Sequence, residues 1–299
     1  MLKNKQKNMK TRSCRMRDLN SSGSTLVFGS NWGIKIQSPP YNPGTATSIQ
    51  SPPYNPGTAT SPDFKNVIGG DYPDYPPTRF KALTYARQET CKMFDRRIPD
   101  FINVNAYLFN AEYSDDLNLN GSNIEVRSKI EVQVNPEFEF IKAKEYAEQY
   151  AKVIGRLPKA LRRYVQTVWI HKGDKPFGGG NNNLLIHVEQ GDNYIRDGIL
   201  EEILIHEACH TSLDYYAYYG DWKSAQDKDK DKYISTYAHD NPAREDIAES
   251  FLAYFAVTYR KDRISGNTYK KITSTIPNRI KFFDSLNLDM FPYKKSPQT

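Results

Sequence analysis

Two histidines stand four residues apart, with a glutamate beside the first, in the run Ile203-Leu204-Ile205-His206-Glu207-Ala208-Cys209-His210-Thr211. Only five histidines occur in the 299 residues, so a pair at this spacing carries weight. On a helix, positions i and i+4 share one face, one turn apart. Two imidazole nitrogens presented this way can bind one Zn2+ at about 2.0–2.1 Å. A carboxylate next to the first ligand is placed to hold water at such an ion and to take its proton. The expectation is metal-assisted hydrolysis, with His206 and His210 as ligands of one Zn2+ per chain and Glu207 as general base.

A helix must carry these groups. From Asp197 to Asp214 there is no proline, and Leu200, Ile203, Leu204 and Leu213 recur at helical spacing. Asp192, Asn193 and Asp197 offer N-cap or first-turn acceptors, and Glu201 and Glu202 suit the early turns.

Two histidines and a water leave one protein position in a four-coordinate site. A third histidine in the pattern His-Glu-x-x-His-x-x-Gly-x-x-His is excluded, because Leu213 and Tyr216 occupy the Gly and His positions. Asp214, four residues after His210, suits a group that supports a ligand better than a ligand. The run Asn241-Pro242-Ala243-Arg244-Glu245-Asp246-Ile247-Ala248-Glu249-Ser250-Phe251 supplies the better candidates. Asn241-Pro242 is a helix-start signal, and Ile247, Phe251, Tyr254 and Phe255 form an apolar stripe. Glu245 and Glu249 share one helical face. Glu245 is assigned as the ligand and Glu249 as the group orienting an imidazole N–H, with the swapped assignment left open.

His206-Glu207-x-x-His210, Tyr237 and Glu245-Asp246-Ile247-Ala248-Glu249-Ser250-Phe251 together resemble the anthrax lethal factor-like branch of zinc metallopeptidases, which are gluzincins with a Glu as third ligand. The resemblance covers about residues 183–260. It implies a zinc-dependent endopeptidase acting on a peptide or protein substrate. It also implies that Tyr237 supports the transition state, with His239 and Tyr233 as competitors for that role. Thermolysin-type enzymes are less similar, since an Asn precedes their third ligand where Arg244 stands here. In zinc peptidases the strand before the metal helix commonly lines the cleft and pairs with extended substrate. That role would fall to Asn183, Leu184, Leu185 and Ile186; an ordinary sheet strand is the plain alternative.

Around this centre the spacing predicts a helix over 79–95, with Phe80, Leu83, Tyr85 and Met93 as its apolar members. It predicts strands at 101–109, 130–134, 165–171 and 184–188, and helices at 136–155 and 157–164. Asp115-Asp116 and residues 118–123 read as a polar loop, and Gly178 to Asn183 as a flexible one. Asp227, Asp229 and Asp231 mimic a calcium loop, but Lys232 and Ala238 stand where that loop needs Gly and Glu, so a solvated loop is expected. A helix over 269–286 should break near Pro277. The fold class expected is α+β, a zincin-like metallopeptidase domain over 79–299 with a small mixed sheet and an active-site helix.

Residues 1–18 hold seven basic side chains against Asp18, which accounts for the whole net charge of +6. The basic character therefore belongs to an N-terminal arm, residues 1–35, read as disordered. Residues 36–48, IQSPPYNPGTATS, recur letter for letter at 49–61 and read with their surroundings, 36–78, as a Pro/Gly/Ser/Thr-rich linker. The basic start lacks an apolar h-region, so no signal peptide is read, and secretion is implied by the resemblance alone. No apolar run approaches the roughly 20 residues of a membrane span. A monomer is expected, with no nucleic-acid partner. Three scattered cysteines, Cys14, Cys91 and Cys209, imply no disulfide framework, and Cys209 is expected to pack as a small apolar residue. The competing function is a non-catalytic zinc-binding or interaction protein that works through the basic, Pro-rich arm.

Overall fold

The computed structural model of the chain describes residues 78–119 and 122–296. The basic arm and nearly all of the Pro-rich linker lie outside the described residues.

Long antiparallel pairing opens the fold. Strands β1 (Phe80–Asp95), β2 (Asp100–Leu119) and β3 (Ser122–Val134) form a meander. Helices α1 (Phe140–Ile154) and α2 (Lys159–Arg162) then lead to β4 (Thr167–His171), which runs parallel to β3. β5 (Gly178–Gly180) and β6 (Asn183–His187) complete a six-stranded mixed sheet in the order β1-β2-β3-β4-β6-β5. β6 is parallel to β4 and β5 antiparallel to β6. The fold is therefore α+β, with a larger sheet than the sequence suggested.

The helix expected over 79–95 is a strand. Its true period is two, seen in the alternate burial of Cys91, Met93 and Asp95, and it is rich in Thr, Tyr and Phe, which suit a pleated surface. The apolar alternation is short in the sequence because its third inward member is an aspartate. Of the polar loop read at 115–116 and 118–123, the described residues 115–119 and 122–123 are paired strand, with Asp115 opposite Val126 and Asp116 opposite Glu125. Ladder bonds come from the backbone, so polar side chains do not prevent them.

One face of the sheet holds the main core. Phe109, Ala111, Val132, Val168, Leu184 and Ile186 meet Tyr150 and Ile154 of α1 there. Helix α3 (Val188–Arg196) leads into α4 (Leu200–Ser212) beneath the β5–β6 edge. Asp192 and Asn193 belong to α3 and Asp197 caps its C-terminus, so none of the three caps the metal helix. The other face carries a smaller cluster of Cys91, Met93, Ala106 and Leu108.

Helices α5 (Asp214–Ala217), α6 (Gly220–Asp229), α7 (Thr236–Asp240) and α8 (Glu245–Tyr259) follow. α8 is buried along its length except at Thr258, as its apolar stripe requires. The last elements, α9 (Gly266–Thr275) and α10 (Pro277–Ser285), break at Pro277 as the sequence indicated. The expected solvated loop at 227–231 is different. Asp227 and Asp229 end α6, and buried Asp229 accepts from Asn278 N at 2.9 Å and Arg279 N at 3.0 Å, capping α10. Among the described residues no helix is long and apolar enough to cross a membrane.

Candidate metal centre

Helix α4 sets His206 and His210 on one face, with ring centroids 4.9 Å apart. Helix α8 packs against α4 and presents its first residue, Glu245, to both rings. Glu245 Oε2 lies 3.2 Å from His206 Nε2 and 3.1 Å from His210 Nε2, and the two Nε2 atoms are 3.2 Å apart. A tetrahedral ion with bonds of about 2.0–2.1 Å keeps its ligand atoms about 3.3 Å apart. The triangle therefore has the dimensions of three corners of such a site. This buried group of His206, His210 and Glu245 could hold a metal ion.

The surroundings orient the donors. His206 Nδ1 faces Glu249 Oε1 at 3.1 Å, and His210 Nδ1 faces Asp214 Oδ1 at 3.0 Å. A carboxylate at Nδ1 keeps the proton there and leaves Nε2 as a lone-pair donor. Two such nitrogens and a carboxylate oxygen then point at one another, which is favourable only with positive charge between them. The electrostatics agree. Burial alone would lower the His206 imidazole, but Glu245, Glu249 and Glu207 together push it up to about 10. Burial is likewise outweighed at His210, where Asp214 and Glu245 raise the ring to about 9. Glu245 moves the opposite way. Burial would raise it, but its bonds to both histidines hold it far below the usual carboxylate range.

Glu207 is buried on the same helix, within electrostatic reach of His206 and Tyr237. Tyr237 sits on α7, whose N-terminus is capped by Ser235 accepting from Ala238 N at 3.0 Å. Its ring centroid is 6.3 Å from that of His206. Burial raises the phenol, and the Glu245 and Glu207 charges and a hydrogen bond with Glu245 raise it further. His239 is turned outward and pairs with Asp240 at 2.9 Å, with Tyr233 against its ring. Cys209 is free and buried, and burial pushes its thiol up, which suits an inert packing residue.

The strand expected to pair with substrate needs correction. Asn183, Leu184 and Leu185 are paired on both sides, to β4 and to β5, and Ile186 is paired to β4 and fully buried. A strand already flanked on both sides has no free ladder to offer. The terminal strand is β5, the Gly178–Gly180 run that read as a loop. Its glycines are what allow it to lie on the metal helix: a Cβ at Gly179 would stand 1.9 Å from Glu207 O. Gly180 N donates to Thr211 Oγ1 at 3.1 Å, and Thr211 Oγ1 donates to Asn183 O at 3.2 Å, tying α4 to both strands. Arg244 adds a contact that the sequence did not reveal. Its Nη2 donates to Gly179 O at 3.2 Å, while its Nε is 3.6 Å from Asp214 Oδ2. Its place next to Glu245 was the one available signal.

No family model matches the chain, and no curated protein or solved structure matches it either. The chemistry of the centre therefore rests on its own geometry.

Proposed function

We propose that the chain is a zinc-dependent endopeptidase of the gluzincin type, with a zincin-like domain similar to the lethal factor-like branch. The carrying observation is the triangle of His206 Nε2, His210 Nε2 and Glu245 Oε2 at 3.1–3.2 Å, with Glu207 on the same helix. Two imidazoles and one carboxylate are a donor set suited to Zn2+ that leaves a fourth position open. His206, His210 and Glu245 would hold the ion, which when bound supplies a Lewis acid for a peptide carbonyl and lowers the pKa of water. Glu207 accepts the proton of the attacking water and returns it to the leaving amine. Tyr237, whose hydroxyl stays protonated beside Glu245 and Glu207, donates to the developing oxyanion. Extended substrate lies along the terminal strand β5, next to Glu207. A purely structural zinc site favours four protein ligands, whereas the group found among the described residues has three.

The test is a Glu207→Gln protein assayed for bound zinc and for cleavage of a quenched-fluorescent peptide library. Zinc should stay at about one per chain while kcat/KM falls by roughly 10²–10⁴. Full activity in a zinc-loaded Glu207→Gln protein sinks the mechanism. A parent that binds no zinc after reconstitution returns the function to the basic, Pro-rich arm.

A further inference from the structure

Arg96 and Arg97 follow β1 side by side, and their side chains are used in opposite ways. Arg97 is fully engaged: its Nε donates to Asp95 Oδ1 at 3.0 Å and its Nη1 to Glu137 Oε2 at 3.0 Å. Asp95 is held in turn by His187 Nε2 at 3.2 Å. Arg96 forms no hydrogen bond or ion pair among the described residues, although it is half-buried. A half-withdrawn guanidinium has lost part of its hydration and gained nothing in return, so it stands ready for an anion. The backbone on both sides of Arg96 is pinned by the Asp95–Arg97–Glu137 network, so little ordering is left for binding to accomplish.

The position of this cation is informative. Its Nη2 lies 2.8 Å from where a Cβ on Gly178 would be, so the guanidinium rests directly on the terminal strand. The next residue, Gly179, lies against the Glu207 carbonyl. Successive strand residues point to opposite faces, so Arg96 lies against the face of β5 turned away from α4, and an extended substrate paired with β5 would alternate its side chains between these two faces in the same way. The other arginine that contacts this strand, Arg244 at the start of α8, donates to Gly179 O.

We propose that Arg96 forms a carboxylate-binding subsite on β5, which selects substrates carrying an acidic group within a residue or two of the bond that is cut. The proposal rests on the peptidase reading of the neighbouring metal centre. The carboxylate has two sources, an Asp or Glu side chain inside a longer peptide or the free carboxylate at a peptide's C-terminus. Glycine at 178 is part of the site, because any side chain there would displace the guanidinium.

The experiment compares the zinc-loaded full chain with its Arg96→Gln, Arg96→Lys and Gly178→Ala variants on matched peptides. One set is amidated and differs only in Asp or Glu against Asn or Gln near the scissile bond. A second set is neutral in its side chains and differs only in a free or amidated C-terminus. The same peptides are titrated by fluorescence anisotropy against each protein in a Glu207→Gln background, which separates binding from turnover. The expected result is a preference of roughly 10- to 100-fold for the carboxylate member of one set. It should vanish in Arg96→Gln, shrink in Gly178→Ala and persist in part in Arg96→Lys. The set that shows it identifies the source. Cleavage with no carboxylate preference, or with one that survives Arg96→Gln, overturns the subsite and leaves the peptidase reading intact. If no peptide is cut by any form, the peptidase reading fails and anisotropy decides the subsite. Arg96-dependent preference in binding upholds it, and equal or absent binding overturns it. Thermal melting of each variant shows that the fold is retained, which the absence of Arg96 bonds leads one to expect.

Discussion

Glu249 Oε1 stands 3.1 Å from His206 Nδ1, one helical turn beyond Glu245, whose Oε2 meets the same imidazole at Nε2. One helix thus supplies both the carboxylate that faces the ion position and the carboxylate that orients a histidine opposite it. Replacing each should have different consequences. Glu245→Ala should abolish stoichiometric metal binding. Glu249→Ala should keep the metal but weaken it about 10- to 100-fold in chelator competition, as expected for a group that orients a ligand. The reverse pattern would exchange the two roles.

Gly179 lies where β5 packs directly on α4. A methyl group there would sit 1.9 Å from a backbone oxygen, Glu207 O, which cannot rotate away. Gly179→Ala should therefore lower stability by about 1–3 kcal/mol or more, through forced separation of strand and helix, and should depress activity with it. Gly220→Ala is the control, since nothing lies within 4 Å of its added carbon. Denaturant midpoints for the two proteins check this, and equal midpoints would contradict the packing described.

Arg279 joins α10 to the start of α8. It is buried with no exposed surface, and its Nε donates to Asp246 Oδ2 at 2.9 Å while its Nη1 lies 3.2 Å from Asp229 Oδ2. Asp246 follows Glu245 directly. Arg279→Met should leave two buried carboxylates without their cation, at about 3–5 kcal/mol. Weaker metal retention should accompany this, because the first turn of α8 loses its anchor. Unfolding curves and metal content of the purified variant test both parts.

His171 should make the fold acid-sensitive. It is completely buried, with Nδ1 3.0 Å from Asn135 Nδ2 and 3.6 Å from Asp95 Oδ2. Burial lowers it from 6.5 to about 4, with His187 and Arg97 adding to the fall and Asp95 and Glu137 opposing it. Below pH 6.5 the unfolded chain takes up a proton that the folded chain refuses until about pH 4. Stability is therefore present above that window and lost as pH falls through it, by at most about 3 kcal/mol. Urea midpoints of the chelator-treated protein between pH 7 and 4.5 should fall more steeply in the parent than in His171→Gln. Equal slopes would remove His171 as the cause.

Much of the centre was legible in the linear chain because its logic is local. An i, i+4 pair on an apolar helix must share a face whatever surrounds it, so His206, Glu207 and His210 could be read without a fold. The apolar stripe of residues 247–255 marked a buried helix, which made Glu245 and Glu249 candidates. Which of them meets Nε2 and which meets Nδ1 depends on how α8 lies across α4, and only packing decided that.

The strands were harder because their partners are distant. Residues 80–95 have no local signature strong enough to outweigh an accidental helical spacing, and become a strand by pairing with β2. The Gly178–Gly180 run looks like a loop in sequence. It is a terminal strand because the sheet needs an element thin enough to lie on the metal helix, and only glycine allows that approach. Arg96, Arg244 and Arg279 belong to the same class. Basic side chains abound in the sequence, and tertiary structure alone places one beside a strand edge, one beside a ligand and one between two buried carboxylates.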